Sequence, residues 1–312
     1  MAEAVQDRLM PGPEALARIR AEIDGYNGQR AQVARQTWTR LVLLLGGWAL
    51  VSVAVCWPLV VAGNSQAFGL ACVAILFSGY FLFDRAMTPR RQFRQTVRDR
   101  LLPAVFGFVD DLRYAGSGSP RFLEPMPGNE FLRRTHSRHR DLFSGRYDGF
   151  RFTLCETELS IGNGSKRQIT FTGVVVAFQQ ENGFPGTLLA AKRPGRLAKA
   201  IRSLFEDGTL SEVKSGDAGI DASHEFRTDN PQAAGLRVAA MAKALDYLAG
   251  TWPDGVIRIA LRHKDGFLLV PTQKDFFELP PIGTPLDFDV HVRPMIADLV
   301  TLVSTARLVS GI

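Results

Sequence analysis

Leu41–Ala62 reads LVLLLGGWALVSVAVCWPLVVA and Ala67–Phe83 reads AFGLACVAILFSGYFLF. No Asp, Glu, Lys, Arg or His lies between Arg40 and Asp84. At a helical rise of about 1.5 Å per residue the first run covers about 30 Å, the hydrocarbon thickness of a bilayer. Gly63-Asn64-Ser65-Gln66 joins the two runs. In lipid a chain satisfies its backbone within its own segment only as a helix, so the pair reads as a transmembrane helical hairpin. The bland alternative is a helix pair buried in a soluble core; the unbroken absence of charge over this length weighs against it. A cleaved signal peptide fits neither the long segment ahead of the first run nor the second run after it.

Orientation follows from flanking charge. Arg30, Arg35 and Arg40 precede the hairpin; Arg85, Arg90, Arg91, Arg94, Arg98 and Arg100 follow it; the connecting turn carries none. Excess Arg marks the cytoplasmic side, so both ends face in and the turn faces out. Trp38 and Tyr80 then fall near the inner interface, Trp57 and Phe68 near the outer one. Pro58 sits close to the outward end of the first helix, where a lost backbone bond is most easily tolerated.

The chain has 312 residues and a formal charge of +6. Between Asp84 and Arg100 six Arg stand against two Asp, so membrane topology accounts for much of the excess. The basic balance is no argument for nucleic acid and fits a juxtamembrane segment resting on anionic headgroups. Of three cysteines, Cys56 and Cys72 lie in the apolar runs and Cys155 beyond them. Neither a metal-type spacing nor a disulfide framework is present.

Four stretches follow: 1–40 is a cytosolic N-terminal helical segment, 41–83 the hairpin (41–62 and 67–83), 84–120 a juxtamembrane basic helix and linker, and 121–312 a cytosolic α+β domain. After Pro11-Gly12-Pro13 a helix starts at Glu14, with Leu16, Ile19, Ile23 and Tyr26 at helical spacing; Gly25 and Gly28 weaken it. Its face suits either a partner or membrane surface, or docking on the cytosolic domain. Arg90–Tyr114 reads as one long helix, with Val97, Leu101, Val105, Phe108 and Leu112 on one face and Pro103 as a kink. Gly116–Pro120 is a loop.

Past the hairpin, Phe150, Phe152 and Leu154 alternate, and the apolar parity then shifts to Leu159 and Ile161. Ile169 and Phe171 shift likewise to Val174, Val176 and Phe178 after Gly173. With Gly162–Ser165 as the turn, Leu154 stands opposite Gly173, and a bulge or bend there predicts a curled antiparallel sheet. Gly183–Gly186 reads as a further turn, Thr187–Ala191 as a strand, Arg196–Glu206 as a short helix and His224–Arg227 as a strand. Asn230 caps a helix with Pro231 at its first position; Val238, Met241, Leu245 and Leu248 form its stripe and Gly250 ends it. Val256–Leu261 and Phe267–Val270 read as a hairpin across Asp265-Gly266. Met295–Val309 is a closing apolar helix, too short and too charged to be a third span.

After the hairpin and its Arg-rich helix come DLFSGRYDGFRF at Asp141–Phe152, ETEL at Glu156–Leu159 and ITFTG at Ile169–Gly173. EFRTD at Glu225–Asp229 then precedes an Ala-rich helix. This order resembles the bacterial membrane family catalogued as domain of unknown function 3137, over roughly Arg90 to the C-terminus. The resemblance implies a membrane-anchored cytosolic module of a bacterial inner membrane. It implies no activity, no cofactor and no catalytic residue.

Three groups of residues bear on chemistry. Arg133, Arg134, Arg138 and Arg140, with His136 and His139 among them, form the densest basic run outside the membrane flank. It suits a solvated face or a site for phosphate and headgroup oxygens, which Arg forks match. Two His on one helical turn, with Asp141, Glu156 or Glu158, could hold a metal, but four neighbouring Arg would repel it. Glu156 and Glu158 share a strand face, which allows acid–base work by a carboxylate pair, with His136 as a further candidate; the plainer role is a Glu holding backbone donors at the bulge. Lys192, Arg193, Arg196, Lys199 and Arg202 form a second basic run, and Cys155 reads as half-buried strand packing. No phosphate-binding, zinc-protease, hydrolase, kinase or EF-hand signature is present.

The sequence thus predicts a membrane-anchored binding or scaffold module whose partners are the lipid bilayer and a membrane or cytosolic protein. The alternatives are a membrane-associated enzyme and an accessory subunit of a transporter, in which Gly46, Gly47 and Ala49 would pack against a partner helix.

Overall fold

A computed structural model describes residues 10–63, 65–118, 120–193, 204–205, 208–253, 255–273 and 275–312. The expected helix over Arg196–Glu206 falls almost wholly outside these residues, as does most of the second basic run. The chain divides into two compact units: Leu16–Ala104 with Leu279–His291, and Val105–Glu278 with Val292–Ile312 and the N-terminal residues to Ala15.

The first unit is built on two long helices, α1 (Pro13–Val61) and α2 (Ser65–Val105). Both are long and apolar enough to cross a membrane. Their apolar runs are not a soluble core: Leu43, Leu50, Leu70 and Leu76 are each about 70% exposed. Gly25 and Gly28 do not interrupt α1. Trp48 lies against Gly79, where an added Cβ would meet its ring, and its indole Nε1 donates to Ser78 Oγ at 3.1 Å. Near the other end of the hairpin Ile19, Ile23 and Tyr26 are buried, and Tyr26 stacks on Phe93 of α2 at 5.7 Å.

The second unit is an α+β domain around one seven-stranded antiparallel sheet. Its strands are β1 (Asp110–Ser117), β2 (His136–Tyr147), β3 (Phe150–Ile161), β4 (Gln168–Lys192), β5 (Ser211–Glu212), β6 (His224–Thr228) and β7 (Arg258–Pro271). A short helix α3 (Ala218–Ser223) precedes β6, and α4 (Pro231–Thr251) and α5 (Arg293–Ser310) pack on β4. Strand β4 is central. Its first half pairs with β3, its second half with β6, and β7 runs along it for nearly its whole length. The capped helix is as expected: Asn230 Oδ1 accepts from the Ala233 amide at 3.2 Å, and Val238, Met241, Leu245 and Leu248 are fully buried.

Five sequence expectations are corrected. The long helix ends at Val105, not Tyr114, and the sheet begins at Asp110. In the β3–β4 hairpin, Thr157 rather than Leu154 faces Gly173. The connection takes Gly162–Arg167, with a 3-10 turn at Gly164–Lys166, instead of four residues. Gly183–Gly186 does not separate two strands; it is a bulged stretch inside β4. Asp265-Gly266 is not a hairpin turn either, because β7 passes straight through it beside β4.

Candidate functional site

The most unusual chemistry lies where β2 and β3 meet the segment after β7. Strand β2 carries one extra residue between Arg140 and Phe143. Asp141 takes it up with φ of 48°, a left-handed conformation costly for most side chains. Asp141 is thereby buried and joins Glu156 of β3 and Asp275. Carboxylate oxygens from the three lie within 4.8 Å of one another. Tyr114 donates its hydroxyl to Asp141 Oδ1 at 2.6 Å. Glu156 Oε1 accepts the amides of Phe276 and Phe277, the latter at 3.1 Å. Phe106, Phe143 and Phe277 wall the neighbourhood with ring centroids 4.5 to 5.6 Å apart.

Burial in this aromatic surround, then the charge and hydrogen bond of Asp275, then Asp141, push the Glu156 carboxyl up to about 8. At neutral pH it holds a proton that bridges toward Asp275. The open space beside it, lined by Arg140, Glu158, Thr172 and Gln273 among others, is about 40 Å3. That admits a water or two and no organic substrate. The arrangement ties the segment after β7 to the sheet through a neutral acid.

The other candidates are dispersed. His136 and His139 stand on a strand, not a helical turn, and an odd separation sends them to opposite faces. The imagined two-His metal face is therefore absent. His136 is exposed beside Thr135, whereas His139 approaches Thr157 Oγ1 at 3.1 Å and is pushed down by burial and then by Arg134. Arg138 and Arg140 are exposed on the His136 face, opposite Glu158 and Glu156 in register. Arg133 is exposed before β2 begins. Arg134 is half-buried and donates to the carbonyls of Pro127 and Met126, so it closes a loop. Glu158 is bridged to Arg167 at 2.5 Å. Cys155 is buried, and burial pushes its thiol up to about 12, which leaves no nucleophile at neutral pH.

The tract EFRTD at Glu225–Asp229 does structural work that the sequence did not reveal. Glu225, 2% exposed, accepts from the Leu204 amide at 2.7 Å and pairs with Arg193 at 3.2 Å and Arg227 at 3.0 Å. Arg258, pushed down to about 10 by burial, also feels its charge. Asp229 accepts the Thr187 amide at 2.7 Å, against Gly186. Asp148-Gly149, both at positive φ, form the two-residue turn between β2 and β3.

These features define an α+β sheet protein carried on a long apolar helical hairpin. No family model and no curated protein matches the chain. Among solved structures it is similar to the crystal structure of the mycobacterial trehalose monomycolate transport factor A, TtfA. The identity is 10% and the TM-score 0.32, over 63% of this chain and 88% of that one. A likeness at that level bears on neither mechanism nor partner.

Proposed function

We propose that the chain is a two-span, membrane-anchored module of a bacterial inner membrane, with both termini cytosolic, whose sheet domain binds a protein partner. The observation that carries this reading is the exposed apolar surface of both helices between Leu41 and Phe83, framed by Arg on one side only. The domain of unknown function 3137 resemblance has the same order of parts. Beyond Phe83, α2 continues to Val105, about 30 Å more of helix. Two spans hold the domain at the membrane and raise the effective concentration of whatever it meets there. Contact of Arg133, Arg138 and Arg140 with anionic lipid is the second reading, favoured by their exposure.

A reporter fused at Ser65 tests the topology: activity outside the cytosol is expected, and a cytosolic reporter overturns it. Affinity purification in mild detergent is expected to bring down a stoichiometric protein. Loss of liposome binding on mutating Arg133, Arg134, Arg138 and Arg140, with no protein captured, would favour the lipid reading instead.

A further inference from the structure

Arg146 of β2 and Arg151 of β3 are direct cross-strand partners. Like charges opposed in this way destabilise a sheet unless something neutralises them. Arg113 of β1 stands opposite Ser144, two residues from Arg146 and so on the same face. Thr153 of β3 stands opposite Ser144 on its other side. These five residues line one open cleft of about 510 Å3.

The cleft is short of negative charge. Asp111 bridges Arg146. Among the described residues Arg113 and Arg151 have no hydrogen-bond or ion-pair partner. The Nε of Arg146 is buried and has no acceptor. Asp110, opposite Arg146 in register, adds a second carboxylate at the edge, so three guanidinium groups against two carboxylates leave a net positive charge in one concavity, with two hydroxyl groups between them.

We propose that this cleft binds a phosphate monoester, carried by a small soluble molecule or by a lipid headgroup. A phosphate offers enough oxygens to engage the unpaired Arg113 and Arg151 together, whereas a carboxylate, with two oxygens, forks to one guanidinium and leaves the other unmatched. Planar guanidinium forks match phosphate oxygens two at a time, and Ser144 and Thr153 supply hydroxyl donors to the remaining ones. The volume lies within the range of small-molecule sites. The site lies apart from the basic run at Arg133–Arg140 and does not rest on the membrane reading.

The test uses the full chain in non-ionic detergent at about 0.15 M salt, where exposed charges are screened beyond about 8 Å. Glycerol 3-phosphate and a short-chain, water-soluble phosphatidic acid, both phosphate monoesters, are titrated separately by calorimetry. Saturable binding of at least one probe is expected, weakened about tenfold or more in R113Q and R151Q and abolished in the double variant. K243Q, an exposed lysine of α4 outside the cleft, is expected to bind as the parent does. Preference for glycerol 3-phosphate would indicate a soluble ligand, and preference for phosphatidic acid a headgroup. R151Q removes a repulsion and breaks no bond, so without ligand it should melt at or above the parent temperature. Absence of binding of both probes to the parent protein, or unchanged binding in R113Q/R151Q, overturns the proposal.

Discussion

Asn27 of α1 holds Leu286 as one strand holds another: its Nδ2 donates to the Leu286 carbonyl at 2.8 Å and its Oδ1 accepts the Leu286 amide at 2.8 Å. Arg30, one turn on, donates to the Ile282 carbonyl at 2.8 Å. Arg20 lies over the ring of Phe288 at 5.1 Å. The exposed-or-docked question posed by Ile19, Ile23 and Tyr26 is thus answered by a segment some 250 residues downstream in the chain. Asn27→Leu removes both hydrogen bonds and leaves two backbone groups unmatched, at about 1–3 kcal/mol each where they are buried. Amide exchange across Leu279–His291 is expected to rise about tenfold or more, with exchange in β4 unchanged. Equal protection of that segment in the variant would contradict the clamp.

The buried acid at Glu156 makes stability depend on pH in a defined direction. Its carboxyl is raised from 4.5 to about 8, so the folded protein keeps a proton that the unfolded chain gives up. The stabilisation is complete below about pH 4.5 and is lost as pH rises through about 8. Asp298 on α5, raised by burial from 3.8 to about 6, adds to the decline over its own lower range. Glu156→Gln keeps an acceptor for the Phe276 and Phe277 amides and a donor toward Asp275, but cannot ionise. It should melt close to the parent at about pH 5 and clearly above it at about pH 9. A variant that tracks the parent across that range would show that Glu156 does not hold the proton.

Glu225 is a second buried acid, here paired with Arg193 and Arg227 and lying where its charge acts on Arg258. Removing one partner of a buried ion pair strands the others. Glu225→Ala is therefore expected to cost about 3–5 kcal/mol in denaturant unfolding of the detergent-solubilised protein. Glu212→Ala, which breaks only the exposed bridge to Lys214, should cost less than about 1 kcal/mol. Similar costs for the two would mean that Glu225 is not the hub.

The hairpin was legible because forty-odd uncharged residues obey one solvent, and α4 because its cap, proline and stripe agree with one another. What misled was punctuation settled by distant partners. Gly183, Pro185 and Gly186 read as a turn. In the fold, Arg237 donates to the Gly183 carbonyl at 2.7 Å, Asn230 to the Pro185 carbonyl at 2.9 Å, and Asp229 takes the Thr187 amide. Side chains more than forty residues away satisfy the bulged backbone, so β4 continues. Phe108 and Leu112 extended the helical spacing by coincidence; Leu112 and Tyr114 alternate inward on β1. Glu156 was singled out from sequence. In the sequence Asp141 offers itself only as a spare metal ligand and Asp275 carries no signal, because a bulge and a segment beyond β7 bring them together.

The register of β3 and β4 shifts between Leu159 and Ser160, opposite Phe171 and Ile169, and not at Gly173 where the parity change places it; Gly173 serves the contact of β4 with β7 instead. A Cβ there would run into the carbonyl of Val270 and the backbone of Pro271 and Thr272, all on β7 or just beyond it. None of these is a side chain that can swing aside; the β4–β7 ladder runs on from this pair, and beyond it the Thr272 amide donates to the Thr172 carbonyl at 3.0 Å. Gly173→Ala should therefore force the two strands apart locally, at about 1–3 kcal/mol, the usual cost of overpacking. Gly164→Ala in the β3–β4 connection, where nothing lies within 4 Å, meets only its own backbone preference at φ of +55° and should cost less. Thermal melting of the two variants side by side decides it: a Gly173→Ala protein at least as stable as Gly164→Ala would mean that the close approach of β4 and β7 is not what that glycine provides.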